Sequence, residues 1–398
     1  MALKVIVAGG SIGGLFTAAA LRTAGFEVDV YERTEVELSG RGAGIVTHEP
    51  LVRALAEVGA ETDALGVAVQ DRVAFDADGG EVQRLAFPQV VTSWDRIHRI
   101  LRACIPDTHH HLGRAVTGYG QTEDGVAVQF DDGRTEAADV LVGADGFRSA
   151  IRGQMLPSVQ PDYAGYVVWR ALAHEADLPP EVHDRVFDYF GLYAPAAMQI
   201  IGYPIAGPDN DLRQGHRRYN FVWYAAVPEE KLTDMLTDAK GRRHAISIPP
   251  PLVREDVLDA MRAESVHRLP PPFRAILDVS ERPFFTPIYD HLSPKMADGN
   301  VALAGDAACV ARPHVGMGVT KAAMDAMALA RHLGKGGPVA EALAAYSEER
   351  VAASEIAYRT ARMLGSYVFG TADPSANPDG RSNPHLTDIM RVTASVVG

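Results

Sequence analysis

Residues 4–33 read KVIVAGGSIGGLFTAAALRTAGFEVDVYER, and the fold follows from how this stretch is parsed. Lys4 to Ala8 is a short apolar run, Leu15 to Ala24 is rich in helix formers, Gly25 closes that helix, and Glu27 to Glu32 alternates. The order is strand, tight turn, helix, strand: a parallel βαβ unit. Gly9 and Gly14 hold the outer positions of G-x-G-x-x-G, and Ser11 stands where the second glycine belongs. Gly9 permits the sharp turn, Gly14 lets the helix pack close to the sheet, and the helix amino terminus offers N–H groups to a pyrophosphate. Serine is small, and its hydroxyl can donate to a phosphate. Gly10, Ile12 and Gly13 complete the turn. Glu32, followed by Arg33, ends the second strand where an acid receives ribose hydroxyls.

Working outward, GVAVQFDDG predicts a hairpin edge and ADVLVGADG a buried strand running into a turn. YVVWRALAH, RVFDYF, MQIIGYPI and YNFVWYAAV, between Tyr163 and Val227, predict an antiparallel sheet. Helices follow from about Glu229 to Leu277, broken by prolines 249–251. NVALAGDAA then reads as a strand entering a loop, VTKAAMDAMALARHLG as a helix ended by Gly334, and another helix runs from about Val339 past Arg362. The stretch TADPSANPDGRSNPHLTD predicts an extended tail.

Bulk properties exclude several function classes. With 38 basic against 51 acidic side chains the net charge is −13, which disfavours a nucleic-acid partner. The two cysteines, Cys104 and Cys309, offer neither a zinc spacing nor a disulfide framework and suit a reducing cytoplasm. No apolar run is long enough for a membrane span, so a soluble protein is expected. The run His109 to His111 tempts a metal reading. Consecutive side chains diverge and no carboxylate motif accompanies them, so no metal site is expected and a solvated turn is.

Two further motifs carry chemistry. In DVLVGADGFRSAIR, Asp145-Gly146 follows a buried strand and precedes Arg148, Ser149 and Arg152. In GNVALAGDAACVARPHVGMGVTKAAMDAMAL, Gly305-Asp306 ends a strand, and Pro313, Gly316, Met317 and Gly318 precede a long helix. An acid at a strand end accepts from a sugar-like hydroxyl, and a glycine-rich helix start can face an electron-rich ring edge.

In this order and separation the three motifs resemble the single-component FAD-dependent aromatic hydroxylases built like para-hydroxybenzoate hydroxylase. The resemblance extends through the helix ending near Leu364. It implies an α/β fold: a Rossmann-like FAD-binding domain interleaved with an antiparallel-sheet substrate domain, plus C-terminal helices. The expected boundaries are 1–70 and 71–162 on the FAD side, 163–285 mainly for the substrate sheet, 286–370 returning to FAD with the C-terminal helices, and 371–398 as tail. The first motif would take the ADP half of FAD, Asp145 would serve flavin and nicotinamide, and Asp306 the ribityl chain. Arg41, Gly44 and Ile45, in LSGRGAGIV, would line the flavin.

The sequence departs from the family at Trp94, where an FAD-contacting arginine is usual, leaving Arg96, Arg99 or Arg102 as substitutes. It departs again at Thr320, where asparagine is common. The segments GGSIGGL, YERT, TSWDRIHRIL, YAGYVVWRA, YNFVWYAAV and GDAACVARPH point to the family's hydroxypyridine monooxygenases. That resemblance implies reduction of FAD by NADH or NADPH, addition of O2 to form a flavin hydroperoxide, and attack on it by an electron-rich ring. A 6-hydroxynicotinate, urate or phenol substrate is the alternative; a flavin-bound regulator or electron carrier is the reading from another class. Alternation along YNFVWYAAV puts Asn220, Val222 and Tyr224 on one face and Tyr219, Phe221 and Trp223 on the other. Tyr224, His314 and His48 are the candidate catalytic residues, and Arg170 and Arg312 the candidates for a carboxylated substrate. The C-terminal helix and tail suggest a homodimer.

Overall fold

The strand Lys4–Ala8 is buried along most of its length and lies in the middle of a parallel sheet, as expected for a run with no polar face to leave in water. The computed structural model describes residues 2–38, 44–369 and 386–395. Among these, six strands form the sheet in the order Ala297–Asp298, Val301–Leu303, Val140–Gly143, Lys4–Ala8, Glu27–Glu32, His110–Leu112. Only the edge pair Ala297–Asp298 with Val301–Leu303 is antiparallel. The helices Ile12–Thr23 and Gly318–Gly334 pack together against this sheet, and Leu15, Phe16, Ala323 and Leu329 share one core with Val5, Val142 and Ala302.

The second sheet has nine described strands: Cys309–Val310, Phe284–Leu292, Asp162–His174, Arg218–Ala226, Met198–Ile205, Phe190–Tyr193, Val67–Phe75, Glu81–Ser93 and Gly44–Val46. One of its faces, with Trp169, Tyr219, Phe221 and Trp223, packs under the helices Pro180–Val186, Glu255–Arg268 and Pro271–Asp278. The other carries Val168, Ile201, Tyr203, Val222 and Tyr224. The alternation expected along YNFVWYAAV is therefore present, with Val222 and Tyr224 on one side and Phe221 and Trp223 on the other. A three-stranded antiparallel sheet contains the expected hairpin strand Gly125–Phe130.

The structure differs from the sequence expectation in three places. The sheet reaches outside 163–285, taking in Val67–Phe75 and Glu81–Ser93 from the stretch assigned to the FAD side. Strand pairing joins residues far apart in the chain, so local pattern cannot draw that boundary. The three histidines do not make a solvated turn: His110 is buried and opens a strand paired with Glu27–Glu32, while His109 and His111 both meet Asp29, at 3.0 and 3.1 Å. The stretch read as an extended tail contains a helix, Leu386–Val392, with Ile389 and Met390 buried. Among the described residues no helix is long and apolar enough to cross a membrane.

Candidate active site

Three parallel neighbours, Lys4–Ala8, Val140–Gly143 and Val301–Leu303, each end in one of the three motifs. Motifs separated by well over a hundred residues therefore emerge side by side at the carboxyl edge of one sheet, where α/β proteins hold their ligands. The ladder continues into the turns: the Ala144 N–H donates to Ala8 O at 2.8 Å, and the Ala304 N–H to Gly143 O at 3.0 Å.

The glycines of the first turn are sterically required. Gly9 has φ +109°, and a Cβ there would lie 2.3 Å from Ala144 O. A Cβ on Gly14 would lie 1.8 Å from Gly9 O. Ser11 instead has φ −79°, an ordinary conformation for any residue, so a side chain is tolerated at the middle position. Its hydroxyl caps no helix N–H and lies at the wall of a cavity.

That cavity has a volume of about 900 Å³ and runs from the first turn to the second sheet. Its wall includes Gly9, Ser11, Glu32 and Arg33 from the first motif, Gly44, Ile45 and Asp145, then Asp306, Pro313, Gly316 and Gly318 from the third. Gly10, Ile12, Gly13, Gly14 and Met317 stand behind the wall, and Arg41 lies outside the described residues. Glu32 is buried and folds back on its own turn, accepting from the Gly10 N–H at 2.8 Å and from the Thr34 N–H at 3.0 Å. Gly44, at the start of the edge strand Gly44–Val46, lies so close to the central strands that a Cβ would sit 2.6 Å from the Tyr203 ring, and its N–H donates to Asn220 Oδ1 at 3.0 Å.

Buried ions set the third motif. Lys321 Nζ donates to Gly305 O at 2.9 Å, and Asp325 accepts from the Gly305 N–H at 3.0 Å. Arg350 completes the triad through a 2.8 Å bond to Asp325. Arg152 joins the second motif to the third, donating to Phe147 O at 2.7 Å and Ala307 O at 3.1 Å. The Asp306 carboxyl opens into the cavity. Crowding by protein raises its pKa above the usual carboxylate range, against the lowering pull of Lys321 and Arg152. Asp145 accepts from the Ala150 N–H at 2.7 Å, and its second oxygen is buried with no described partner; burial raises this carboxyl too. A cradle with no room for Cβ atoms, followed by acids facing a long cavity, fits FAD: a pyrophosphate at the turn and hydroxyls at Asp306.

Trp94 lines the cavity and stacks on His98, with ring centroids 4.7 Å apart. The proposed substitutes for the family arginine are engaged elsewhere: Arg96 with Asp63 O, Arg99 with Asp209, and Arg102 with Glu37 and Asp107. Arg33 and Arg148 are the guanidinium groups that reach the wall near the first two motifs.

Toward the second sheet the wall bears Arg170, Tyr203 and Tyr224. No described residue hydrogen-bonds or ion-pairs the guanidinium of Arg170 or the phenol groups of the two tyrosines. Arg312, the other candidate for an acidic substrate, is held by Asp290 at 2.5 Å. Burial pushes the Tyr224 phenol up to about 12, while Arg170 pulls it down. Burial raises Tyr203 in the same way.

The two histidines do not reach the cavity wall. His314 stacks behind Tyr224 at 4.6 Å, and its Nε2 and Nδ1 meet the Tyr166 hydroxyl at 2.8 Å and Gln199 Oε1 at 3.1 Å. Burial, reinforced by Arg312, lowers its pKa to about 3, so the ring is neutral at pH 7. Gln199 Oε1 can only accept, which puts the proton on Nδ1 and makes Nε2 the acceptor for Tyr166. His48 is similarly used up, by Thr320 Oγ1 at 2.7 Å and Ala394 O at 3.3 Å.

Sequence reading missed Tyr203, Ile201 and Ala394 on the cavity wall. The signal for the first two was present: MQIIGYPI pairs with the Tyr224 strand so that Tyr203 faces Asn220 and Ile201 faces Val222. Directly opposed residues share a face, but the register had to be known first.

Residues 163–290 match the family described as FAD binding domain-like. The 2,6-dihydroxypyridine 3-monooxygenase of Paenarthrobacter nicotinovorans is 36% identical over 340 residues, 82% of each chain. The solved 2,6-dihydroxypyridine-3-hydroxylase from Arthrobacter nicotinovorans superposes with a TM-score of 0.89 at 30% identity, over 100% of this chain and 98% of that one. A Klebsiella pneumoniae protein solved with FAD and uric acid shares the fold, with a TM-score of 0.76 at 24% identity over 94% of this chain and 91% of that one.

Proposed function

Because the chain belongs to the FAD-dependent aromatic hydroxylases, we propose that it hydroxylates a small ring bearing an ionisable hydroxyl, of the hydroxypyridine kind, using O2 and NADH or NADPH. The observation that carries this is the cluster of Arg170, Tyr203 and Tyr224 facing the cavity, whose guanidinium and phenol groups make no hydrogen bond or ion pair with any other described residue. FAD, when bound, accepts reducing equivalents from the nicotinamide and delivers activated oxygen to the ring. Gly9 and the helix start behind Ser11 would hold its pyrophosphate, Glu32 its ribose, and Asp306 its ribityl hydroxyls.

The chain's own residues prepare the substrate. A phenol raised to about 12 keeps its proton at neutral pH, so Tyr224 donates a hydrogen bond and does not act as a base. Arg170 is a fixed cation on the same wall. Together they favour the ionised form of a ring hydroxyl, and ionisation raises electron density at the neighbouring ring carbons. The second sheet keeps the ring's surroundings dry through Ile201, Val222 and Phe190. A carboxylated ring such as 6-hydroxynicotinate suits the same free guanidinium and is the second reading.

The test is oxygen and NAD(P)H consumption with a panel of hydroxypyridines, hydroxynicotinates, phenols and urate. A dihydroxypyridine is expected to stimulate turnover most. A regulator or electron carrier would respond to none of them, and that outcome would end the proposal.

Tyr224→Phe is expected to reduce hydroxylation about 3- to 10-fold, the net worth of one neutral hydrogen bond, while FAD stays bound. Unchanged coupled turnover would remove Tyr224 from the reaction. Asp306→Ala is expected to weaken FAD binding about 10- to 100-fold, the loss of a hydrogen bond to a charged group. Titrating apoprotein with FAD by flavin fluorescence measures this, and an affinity equal to that of the parent contradicts the assignment.

A further inference from the structure

Arg72 has no role in the site as described so far, yet it is 0% exposed in the middle of the strand Val67–Phe75. Its guanidinium lies between two aromatic rings, 3.8 Å from the Phe87 centroid and 4.9 Å from that of Phe190. Nε donates to Gln89 Oε1 at 2.9 Å. The terminal nitrogens donate to the carbonyls of Met390, Thr393 and Ala394. These oxygens belong to the last turn of the helix Leu386–Val392 and the residues just beyond it, the end of a helix that attracts a cation. Burial lowers this guanidinium to about 9, so it is still charged at pH 7. Among its described contacts the charge is met by carbonyl oxygens and two ring faces, with no carboxylate.

The segment it grips reaches the ring-binding end of the cavity. Met390 and Ala394 pack in one cluster with Tyr166, Phe190, Ile201, Tyr203 and Tyr224, and Ala394 is part of the cavity wall. Ala394 has φ +49°, uncommon for a residue with a Cβ. Such a conformation persists only where the surroundings impose it. Here the surroundings are Arg72, the His48 ring on Ala394 O at 3.3 Å, and the His314 carbonyl, which accepts from the Ala394 N–H at 2.9 Å. A Cβ on Gly316 would come within 3.0 Å of Ala394, so the third motif leaves room for this segment to dock.

We propose that residues 386–395 form one wall of the pocket for the aromatic substrate, and that Arg72 is the positioning residue that latches them there, with His48 and the His314 backbone as the second clasp. The role in substrate binding rests on the function proposed above; the latch itself does not. Both histidines thereby act on the pocket through Ala394, and not by taking a proton from the ring.

The test uses the full chain loaded with FAD. Arg72→Met keeps an unbranched apolar stem in place of the guanidinium-bearing chain and removes every donor. It is expected to retain FAD within about twofold and to speed backbone hydrogen exchange over 386–395 by at least about tenfold. It is also expected to raise KM for the stimulating ring by about tenfold, with hydrogen peroxide replacing part of the hydroxylated product. Parent-like exchange over 386–395 overturns the latch. Faster exchange with unchanged KM and coupling overturns the wall. If Arg72→Met does not accumulate folded, Ala394→Leu carries the test, since it extends the side chain at the wall; an unchanged ring KM in that variant overturns the proposal. Should no ring stimulate the parent, the functional reading fails, while the exchange result still decides the latch.

Discussion

Replacing Gly14 by alanine is expected to abolish FAD retention, whereas Gly13→Ala, one residue earlier, is expected to leave the protein yellow. A Cβ at position 14 would lie 1.8 Å from the carbonyl oxygen of Gly9, while one at position 13 would meet Ala322 Cβ at an ordinary 3.7 Å. The overlap at Gly14 is with backbone, and that backbone cannot step aside. The Gly9 N–H is bonded to Tyr31 O at 2.8 Å, and Gly9 already lies against Ala144. Relief must come from moving the helix Ile12–Thr23 off the sheet. We expect a cost on the order of 3 kcal/mol or more, the upper range for forced overpacking. The same movement withdraws the helix start from the pyrophosphate. Visible absorbance per protein and thermal unfolding with and without added FAD measure both effects. A Gly14→Ala protein as yellow and as stable as Gly13→Ala would show that the tight turn is not what holds the cofactor.

The second large effect is expected from Arg170→Met: FAD bound as in the parent, but kcat/KM for the ring lower by about 10²- to 10³-fold, the usual loss when one donor to a developing anion is removed. The sign of the accompanying pH effect follows from the charge. A nearby cation stabilises the ionised hydroxyl and lowers its pKa in the complex, so removing the cation raises that pKa by about 1 to 2 units. The acid limb of the hydroxylation profile should therefore move to higher pH. A variant with reduced kcat/KM and an unshifted limb would make Arg170 a steric element of the wall. One with unchanged kcat/KM would remove it from substrate recognition altogether. Arg312 offers no comparable effect, because Asp290 already holds it.

Much of this site is legible in the sequence alone. The turn glycines, Glu32, Asp145 and Asp306 answer to local demands, such as a left-handed φ or an acid closing a strand, and each demand leaves a residue type at a set spacing. Trp94 was legible as a departure from the family. What replaces the arginine was not, since Arg96, Arg99 and Arg102 turn to partners that only folding brings near. The catalytic candidates divide the same way. Alternation placed Tyr224 on the face that lines the cavity, but nothing local could reveal that both nitrogens of His48 and of His314 are already spent on other residues.

The opening βαβ unit, the strand-to-turn motifs around Asp145 and Asp306, the flavin-binding chemistry and the kinship with aromatic hydroxylases were thus written in local stretches, because backbone turns and nucleotide cradles are short-range constraints. Which side chains line the far end of the cavity was decided only in three dimensions. The register between Met198–Ile205 and Arg218–Ala226 brings Tyr203 and Tyr224 to one wall, and Arg72 draws in a segment more than three hundred residues away. Register and burial are relations between distant parts of the chain, and no local pattern encodes the partner.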